Sequence, residues 1–183
     1  MEKRISAPLK KEEVVTLNAG DYVYLTGTIY SARDAAHKRM YEDFKSGKGF
    51  PFDIKGQAVY YAGPCPAKPG EVIGSCGPTT AGRMVDVTPL LLSNGLKFMI
   101  GKGGRSEAVK KAVRENKCIY FGAAGGCGAL IADCIKKSEV IAYPDLGTEA
   151  IRRLTVSDFP CTVLLDTDGT DFYEVSQKRY RKL

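Results

Sequence analysis

Runs of apolar, β-branched and aromatic residues between polar turns occupy the first third of the chain, and they predict strands. The segments EVVTL (13–17) and YVYLTGTIYS (22–31) are two such runs, separated by an Asn-Ala-Gly-Asp turn. In ARDAAHKRMYEDF (32–44) the apolar residues recur at helical spacing, and GKGFPFD (47–53) supplies the Gly and Pro that end a helix. QAVYYAG (57–63) predicts a further strand, followed by a Pro- and Gly-rich loop.

The second half of the chain has a different pattern, in which predicted strands alternate with predicted helices. The strands are KFMI (97–100), CIYFGAA (118–124), EVIAY (139–143) and TVLLD (162–166). The helices are SEAVKKAVREN (106–116), GALIADCIKK (128–137) and TEAIRR (148–153). This alternation predicts crossover connections on a partly parallel sheet. We therefore expect a single α/β domain over residues 1–183, in which the early β segments form a second layer.

Composition and charge predict a globular protein without a membrane span. Apolar residues make up 44% and charged residues 26% of the chain, as in ordinary globular proteins, and no apolar run reaches the roughly 18 residues of a membrane span. The basic N-terminal residues are not followed by the apolar segment of a secretory signal, so we expect a cytoplasmic protein. Most of the net charge of +6 belongs to the last six residues, where only Tyr180 is aromatic. This predicts a solvated tail and no nucleic-acid partner.

The cysteines do not form a metal-binding pattern. No two of them are spaced as CxxC, and the chain has a single histidine. We therefore expect no metal on this chain and predict that most of the thiols are buried in the core. The six cysteines lie at positions 65, 76, 118, 127, 134 and 161.

The segment GPTTAGRM (77–84) combines two hydroxyls with a guanidinium. If a helix starts at its Gly-Pro corner, Thr79 and Thr80 lie four and three residues before Arg83 and share a face with it. Such an arrangement can hold an anion. The alternative is that a threonine caps the helix by accepting a hydrogen bond from a free backbone N–H.

GKGG (101–104) follows a predicted strand and precedes a predicted helix, where phosphate-binding loops occur. It lacks the first glycine and the Ser or Thr of a P-loop, so it does not predict a nucleotide site. Its glycines predict a turn from which Lys102 projects near a helix N-terminus, and the alternative is an ordinary surface lysine.

The segment SARDAAHKR (31–39) contains the only histidine. Arg33 and His37 are four residues apart at the start of a predicted helix, directly after a long strand, where α/β proteins often bind ligands. The alternative is that Arg33 pairs with Asp34 or Glu42 and that His37 is solvated. If Arg33 lay in one cleft with Arg83 and Lys102, the cleft would suit a small dicarboxylate. The guanidinium forks would bind one carboxylate, and the ammonium group of the lysine would bind the other.

Several blocks of the sequence, in order, resemble the β subunit or C-terminal region of class I iron–sulfur-dependent hydro-lyases, the fumarase and L-tartrate dehydratase family. Together they cover nearly the whole chain. They are ARDAAHKR (32–39), GPTTAGRM (77–84), MIGKGG (99–104), IYFGAAGG (119–126), DLGTEAIRRLTVSDFP (145–160) and TVLLDTDGTDFYE (162–174).

The resemblance implies a three-layer β/β/α swivelling-type domain with a mixed, partly parallel sheet. It also implies a [4Fe–4S] cluster on a separate α subunit, whose iron acts as Lewis acid on the departing hydroxyl, and no cofactor on this chain. The implied reaction is the reversible hydration of a C4 dicarboxylate, fumarate to (S)-malate first, with L-tartrate dehydration as the alternative. The family further allows a homo-oligomer through contacts between β subunits.

The resemblance also implies roles for individual residues. Thr79 is the residue that takes a proton from carbon, with its neighbour Thr80 as the alternative. The implied substrate-binding residues are Arg33, Arg83 and Lys102, with His37 orienting Arg33 or the substrate.

One position departs from the sequence pattern of the family. Val85 occupies a position where family members often have Asp, and Asp86 follows it, which leaves the helix after Arg83 undetermined.

A hypothesis of another class is a non-catalytic module that binds a dicarboxylate in the same cleft or contacts an acidic partner through its basic tail.

Overall fold

The computed structural model describes residues 2–9 and 11–182. The prediction of one domain over 1–183 also covers Met1, Lys10 and Leu183, which lie outside the described residues. The strands are β1 Glu2–Ala7, β2 Tyr22–Ser31, β3 Ala58–Tyr60, β4 Phe98–Gly101, β5 Ile119–Gly122, β6 Ile135–Ala142 and β7 Ile151–Leu165. The α-helices are α1 Lys11–Val14, α2 Asp34–Lys45, α3 Thr88–Ser93, α4 Glu107–Asn116, α5 Gly128–Cys134 and α6 Phe172–Tyr180. Two 3₁₀ helices span Ala81–Met84 and Pro144–Glu149.

The strands form one mixed sheet in the order β1-β2-β3-β4-β5-β7-β6. Neighbours from β1 to β5 are parallel, whereas β7 is antiparallel to β2, β5 and β6. Because β2 also pairs with β7, the strands β2, β3, β4, β5 and β7 close into a ring. The predicted α/β class and partly parallel sheet are confirmed. In the part of the chain that is described, no helix is long and apolar enough to cross a membrane.

Side chains of the short central strands point alternately to the two faces of the sheet, and the apolar residues therefore form two clusters. In β4, Phe98 and Ile100 belong to a cluster with residues of β1, β2 and β7, while Met99 between them packs under helices α2, α3 and α4. Adjacent side chains on a strand point to opposite faces, so each short apolar strand contributes to both clusters. This explains why these strands appear as continuous apolar runs in the sequence.

The parallel strands place their carboxyl ends at one end of the ring. Arg33 lies two residues after β2, Gly63 three residues after β3, and Lys102 directly after β4. Ligands of open α/β sheets commonly bind at this end, because loops and helix N-termini meet there. The fold thus brings the predicted site residues to a common edge.

The structure departs from several predicted elements; the predicted helix GALIADCIKK, for example, ends at Cys134, and its last three residues belong to β6. EVVTL is the end of α1 followed by a turn, and its buried residues Val14 and Leu17 are three apart, which is helical spacing. TEAIRR does not form an α-helix, because the 3₁₀ helix ends at Glu149 and β7 begins at Ile151. The N-terminal segment forms β1, although only Ile5 and Ala7 of it are buried.

Strand β7 is longer than the predicted TVLLD strand, and it includes Pro160, which lies opposite Tyr24 in the ladder with β2. The register with β2 shifts between Leu25 and Gly27, and Asp158 has a φ of 50°. The shift marks a bulge in β7 between Val156 and Phe159, and the strand continues on both sides of it.

Candidate functional site

Arg33 and Arg83, 50 residues apart in the sequence, share one carboxylate. The Nε atom of Arg83 lies 2.8 Å from Oδ1 of Asp34, and Nε of Arg33 lies 3.4 Å from Oδ2 of the same side chain. The Arg83 side chain remains 54% exposed. The structure therefore brings the two predicted guanidiniums together on one carboxylate.

Arg33 is fixed by two further contacts. Its Nη2 atom donates to Oε1 of Glu149 at 2.8 Å, and the other oxygen of Glu149 accepts the backbone N–H of Ala35 at 2.6 Å, at the start of α2. A carboxylate at a helix N-terminus is favourable because it satisfies a free N–H. Gly63 lies next to this side chain, because a Cβ atom on it would be within 3.1 Å of Cδ, Nε and Nη1 of Arg33.

Gly63→Ala is expected to displace Arg33 and to raise KM for an anionic substrate by roughly three- to tenfold. An added Cβ atom would lie 3.0 Å from Cδ of Arg33 and 3.1 Å from its Nε and Nη1 atoms, so the guanidinium must shift. Steady-state kinetics measure the change. Gly104→Ala is the control, because an added Cβ there meets no heavy atom of the described chain within 4 Å; an unchanged KM in Gly63→Ala would contradict the expected displacement.

Backbone hydrogen bonds attach the segment Gly77–Met84, here called the threonine corner, to the ends of β3 and β4. The N–H of Thr79 donates to the carbonyl of Tyr61 at 2.6 Å, and the N–H of Lys102 donates to the carbonyl of Thr79 at 3.3 Å. Thr80 and Lys102 form a parallel β-bridge, which the bond from Ala81 N–H to the Lys102 carbonyl at 2.9 Å completes. The corner is thus a short addition to the parallel sheet.

The two threonines differ in their surroundings. The helix at this corner is a 3₁₀ helix that begins at Ala81, so Thr79 precedes it and the predicted four-residue spacing on one helix with Arg83 is wrong. Thr80 occupies the N-cap position, yet its side chain makes no capping hydrogen bond. Capping therefore does not explain the hydroxyls. Thr79 is 8% exposed, whereas Thr80 is exposed.

Lys102 projects from the end of β4, as its turn sequence predicts. Gly103, with a φ of 80°, turns the chain after it. The Lys102 side chain is exposed and extends over Gly125, where its Nζ atom lies 3.8 Å from the position of an added Cβ. The loop that follows β5 therefore lies next to the ammonium group of Lys102.

His37 lies behind the site, and it is 1% exposed. Its Nδ1 atom is 3.1 Å from the carbonyl oxygen of Arg33, and its ring packs edge-on against Tyr61 with 5.3 Å between ring centres. The expected solvated histidine is wrong. The predicted role of orienting Arg33 fits this position, and a direct substrate contact stays a prediction.

His37 predicts how the stability of the fold depends on pH. Burial first of all, helped by the charge of Arg105, lowers the pKa of the imidazole from 6.5 to about 4. Between these values the unfolded chain binds a proton that the folded chain does not, so the free energy of unfolding is expected to fall by up to about 3 kcal/mol from pH 7 to pH 4.

Urea unfolding of the wild type and of His37→Gln at several pH values measures this effect. His37 is the only histidine of the chain, so no other imidazole contributes. The variant is expected to lose less stability than the wild type on acidification, whatever its stability at pH 7. Parallel curves for the two proteins would contradict a neutral, buried His37.

Three residues of this site were not identified from the sequence. The alternative that Asp34 pairs with Arg33 is confirmed, but its contact with Arg83 was not predicted, and Glu149 lies in a quoted block without an assigned role. Arg105 is 7% exposed and donates hydrogen bonds to the carbonyl of Ala81 and, at 2.7 Å, to Oγ1 of Thr88. An arginine three residues after Lys102 is not distinguishable in sequence from a surface residue. Its burial results from tertiary packing.

The cysteines do not suit a cluster on this chain. The described residues contain no group of three or more His, Cys, Asp or Glu that could hold a metal ion. Burial raises the pKa of the Cys76 thiol to about 12 and that of Cys118 to about 11, so both oppose the thiolate form that metals bind. The residues of this chain therefore do not fit an iron–sulfur cluster of their own.

A cavity of about 650 Å³ lies apart from these cations. It is lined by the loop from Cys65 to Ser75, by α5 and by the start of β6, and its charged residues are of both signs. Among the described residues, its lining includes none of the arginines, threonines or lysine discussed above. The cavity is therefore separate from the predicted site residues.

Fold and site define a mixed α/β domain in which Arg33, Thr79 and Lys102 lie at the carboxyl ends of parallel strands or beside them. The chain belongs to the fumarase C-terminus family, whose model matches residues 2–176. The resemblance found in the sequence blocks is thereby confirmed.

The relatives differ in how much of their own length this chain covers. The chain is 45% identical over 152 residues to the anaerobic class I fumarate hydratase of Escherichia coli, covering 82% of this chain and 28% of that enzyme. It is 39% identical over 182 residues to a putative L(+)-tartrate dehydratase subunit beta of Methanocaldococcus jannaschii, covering 96% and 93%. The L(+)-tartrate dehydratase subunit beta of E. coli is 30% identical over 185 residues, covering 98% and 90%. The chain thus spans less than a third of the fumarate hydratase and most of each β subunit.

Proposed function

We propose that this chain is the β subunit of a two-subunit iron–sulfur hydro-lyase that reversibly adds water to a C4 unsaturated dicarboxylate, fumarate to (S)-malate first. The observation that carries the proposal is the convergence of Arg33 and Arg83 on Asp34 beside the Thr79–Lys102 connection. Cations on two sides of a hydroxyl suit a substrate with a carboxylate at each end.

The relatives support a division of the enzyme into two chains. This chain covers 28% of the fumarate hydratase of E. coli but 93% of a relative named as a tartrate dehydratase β subunit. The proposed α subunit carries the [4Fe–4S] cluster, which would supply Lewis-acid chemistry at the substrate hydroxyl. The exposed Arg83 and Lys102 are then half of a pocket that the α subunit closes. We further propose that the domain is of the swivelling β/β/α type, consistent with its sheet and helical layers.

The residues of this chain have distinct tasks in the proposed reaction. Arg33 and Arg83 bind one carboxylate, and Lys102 binds the other. In the direction of dehydration a C–H bond breaks and its electron pair forms the double bond, while the C–O bond breaks and the hydroxyl leaves with its own pair. Thr79, present as an alkoxide after losing its proton to water, accepts the proton from carbon and becomes a neutral hydroxyl.

Burial favours Thr79 over Thr80 as this base. An alkoxide forms only in a dry site next to positive charge, and Thr79 is 8% exposed while Thr80 is open to solvent. The backbone of Thr79 is also fixed on both sides, by Tyr61 and Lys102. Its hydroxyl therefore needs little reorganisation during the reaction.

Mixing the chain with a cluster-bearing α subunit under anaerobic conditions and following fumarate absorbance tests the proposal. Hydration that requires both proteins is the expected result. Turnover of L-tartrate without turnover of fumarate would favour the alternative substrate, which the two near-full-length β-subunit relatives support. Activity of either protein alone would contradict the division of the site.

A non-catalytic dicarboxylate-binding module is the second candidate, and the exposed guanidinium of Arg83 is the observation that favours it. Thermal shift of the isolated chain with fumarate, malate and tartrate separates the two functions. Strong stabilisation without an α subunit would favour the binding module. Half of an enzyme site is expected to bind these anions only weakly.

A further inference from the structure

Arg105 is a buried cation without a counterion. It is 7% exposed, and within residues 2–9 and 11–182 it forms no ion pair. Its Nε atom is buried and has no hydrogen-bond partner among those residues. Burial of a charge is costly unless a carboxylate compensates it, so an uncompensated guanidinium needs an explanation.

Neutral groups hold this guanidinium in one place. Its Nη1 and Nη2 atoms donate to the carbonyl of Ala81 and to Oγ1 of Thr88, and its central carbon lies 5.5 Å from the ring centres of both Tyr61 and Tyr120. Aromatic faces attract a cation without cancelling its charge. The positive field of Arg105 therefore extends beyond its immediate neighbours.

The contacts of Arg105 place this charge directly behind the threonine corner. Ala81 follows Thr80 and begins the 3₁₀ helix that carries Arg83. At the other end of this helix, Oγ1 of Thr88 donates to the carbonyl of Met84 at 2.5 Å, so Arg105 is linked to both ends. The guanidinium thus both fixes the corner and lies near the residues that the proposed function assigns to the substrate.

Lys110 provides a comparison within the same molecule. It is also 7% exposed, but it pairs with Asp171 at 2.8 Å, with Glu107 at 3.1 Å and with Glu174. These carboxylates raise the pKa of its amine and neutralise its charge. The fold therefore contains one compensated and one uncompensated buried cation, and only the uncompensated one contacts the threonine corner.

We propose that Arg105 is a positioning residue that keeps a fixed positive charge behind the threonine corner, so that the corner binds a dianionic substrate and Thr79 carries negative charge. This inference rests on the proposed hydro-lyase function. A charge in a region of low dielectric acts strongly on a neighbouring anion and needs no reorganisation when negative charge develops.

The first test measures kcat and KM against pH for the complex of the chain with its α subunit, in the wild type, Arg105→Gln, Arg105→Lys and Lys110→Gln. Arg105→Gln is expected to lower kcat by about tenfold to a hundredfold. It should also raise KM and move the rise of kcat with pH to higher pH, because the base is harder to deprotonate without the charge. Arg105→Lys keeps the charge and should keep the pH profile, with a smaller loss of kcat.

Lys110→Gln is expected to lower the melting temperature and to leave the pH profile unchanged. An unshifted profile in Arg105→Gln, or an equal shift in Lys110→Gln, would overturn the inference. So would an Arg105→Lys variant as impaired as Arg105→Gln.

The second test does not depend on activity, and it separates this inference from the proposed function. NMR titration of His37 in the isolated chain reports the charge of Arg105, which contributes to lowering the pKa of that imidazole. The pKa of His37 is expected to rise in Arg105→Gln and to stay near its wild-type value in Arg105→Lys and Lys110→Gln. No rise in Arg105→Gln would overturn the inference, whereas an inactive wild-type complex with this rise would instead refute the hydro-lyase function and, with it, the role of Arg105 in catalysis.

Discussion

Replacing Arg83 with alanine is expected to lower kcat/KM of the two-subunit enzyme by about 10²–10³-fold. The side chain of Arg83 is half exposed and held at its Nε atom by Asp34, so its remaining N–H groups are available to a substrate carboxylate. Loss of a charge-assisted fork affects binding and transition state together. Steady-state kinetics with the purified complex measure the loss.

Arg39→Ala is the matched control for this substitution. Arg39 also pairs with one carboxylate, that of Asp145 at 2.7 Å, and it lies on α2 close to Arg33 in sequence. It is expected to keep kcat/KM within about twofold, because exposed ion pairs contribute little. Equal losses in the two variants would show that any arginine near α2 matters. An unchanged Arg83→Ala enzyme would remove the main support for the site.

Replacing Thr79 with valine is expected to lower kcat by about 10²–10⁴-fold with little change in KM, since general base catalysis contributes on this scale. Valine has the shape of threonine and lacks only the hydroxyl. The backbone bonds of Thr79 to Tyr61 and Lys102 do not involve its side chain, so they are expected to persist. The substitution therefore removes the hydroxyl that would act as the base and retains the backbone conformation around it.

Thr80→Val is the matched control at the neighbouring position. Its side chain makes no capping hydrogen bond, so removing this hydroxyl is expected to change neither the stability nor kcat by more than a fewfold. A large loss in Thr80→Val together with an active Thr79→Val enzyme would assign the base to Thr80. Full activity in both variants would exclude a threonine base.

The sequence indicates where several candidate residues lie in the fold, and their roles stay predictions. Arg33, Thr79 and Lys102 are each next to a parallel strand or to its extension, and parallel strands end at one edge, so local patterns indicate that these residues lie at that edge. The pairing of Arg33 with Asp34 was the alternative for this segment and is confirmed, whereas the contact of Asp34 with Arg83 was not predicted. It depends on how α2 meets the 3₁₀ helix Ala81–Met84, which is a tertiary contact.

Some predictions failed because local propensity competes with packing. TEAIRR contains residues that favour helices, yet Arg152 and Arg153 lie on β7, which pairs with β2 and β6. The threonine corner was expected to start a helix at its Gly-Pro pair, but its first threonines extend the sheet beside Lys102. In both places hydrogen bonds to distant strands determine the conformation.

Arg105 and Glu149 show what a single sequence leaves undetermined. Both are charged residues in ordinary polar surroundings in the sequence. In the fold, one is buried between two tyrosines and the other reaches Arg33 across 116 positions. Their roles depend on which distant residues they contact, and periodicity carries no information about such pairs.

The central claim is that the cations at the carboxyl ends of β2 and β4, together with Arg83 and Thr79, form half of a dicarboxylate site. A crystal structure of the complex with the α subunit and bound malate or tartrate tests it most directly. We expect one carboxylate within about 3 Å of guanidinium nitrogens of Arg33 or Arg83, the other near Lys102, and the Thr79 hydroxyl facing a substrate carbon. A dicarboxylate bound instead in the cavity beside the loop from Cys65 to Ser75, with Arg83 still held only by Asp34, would contradict it.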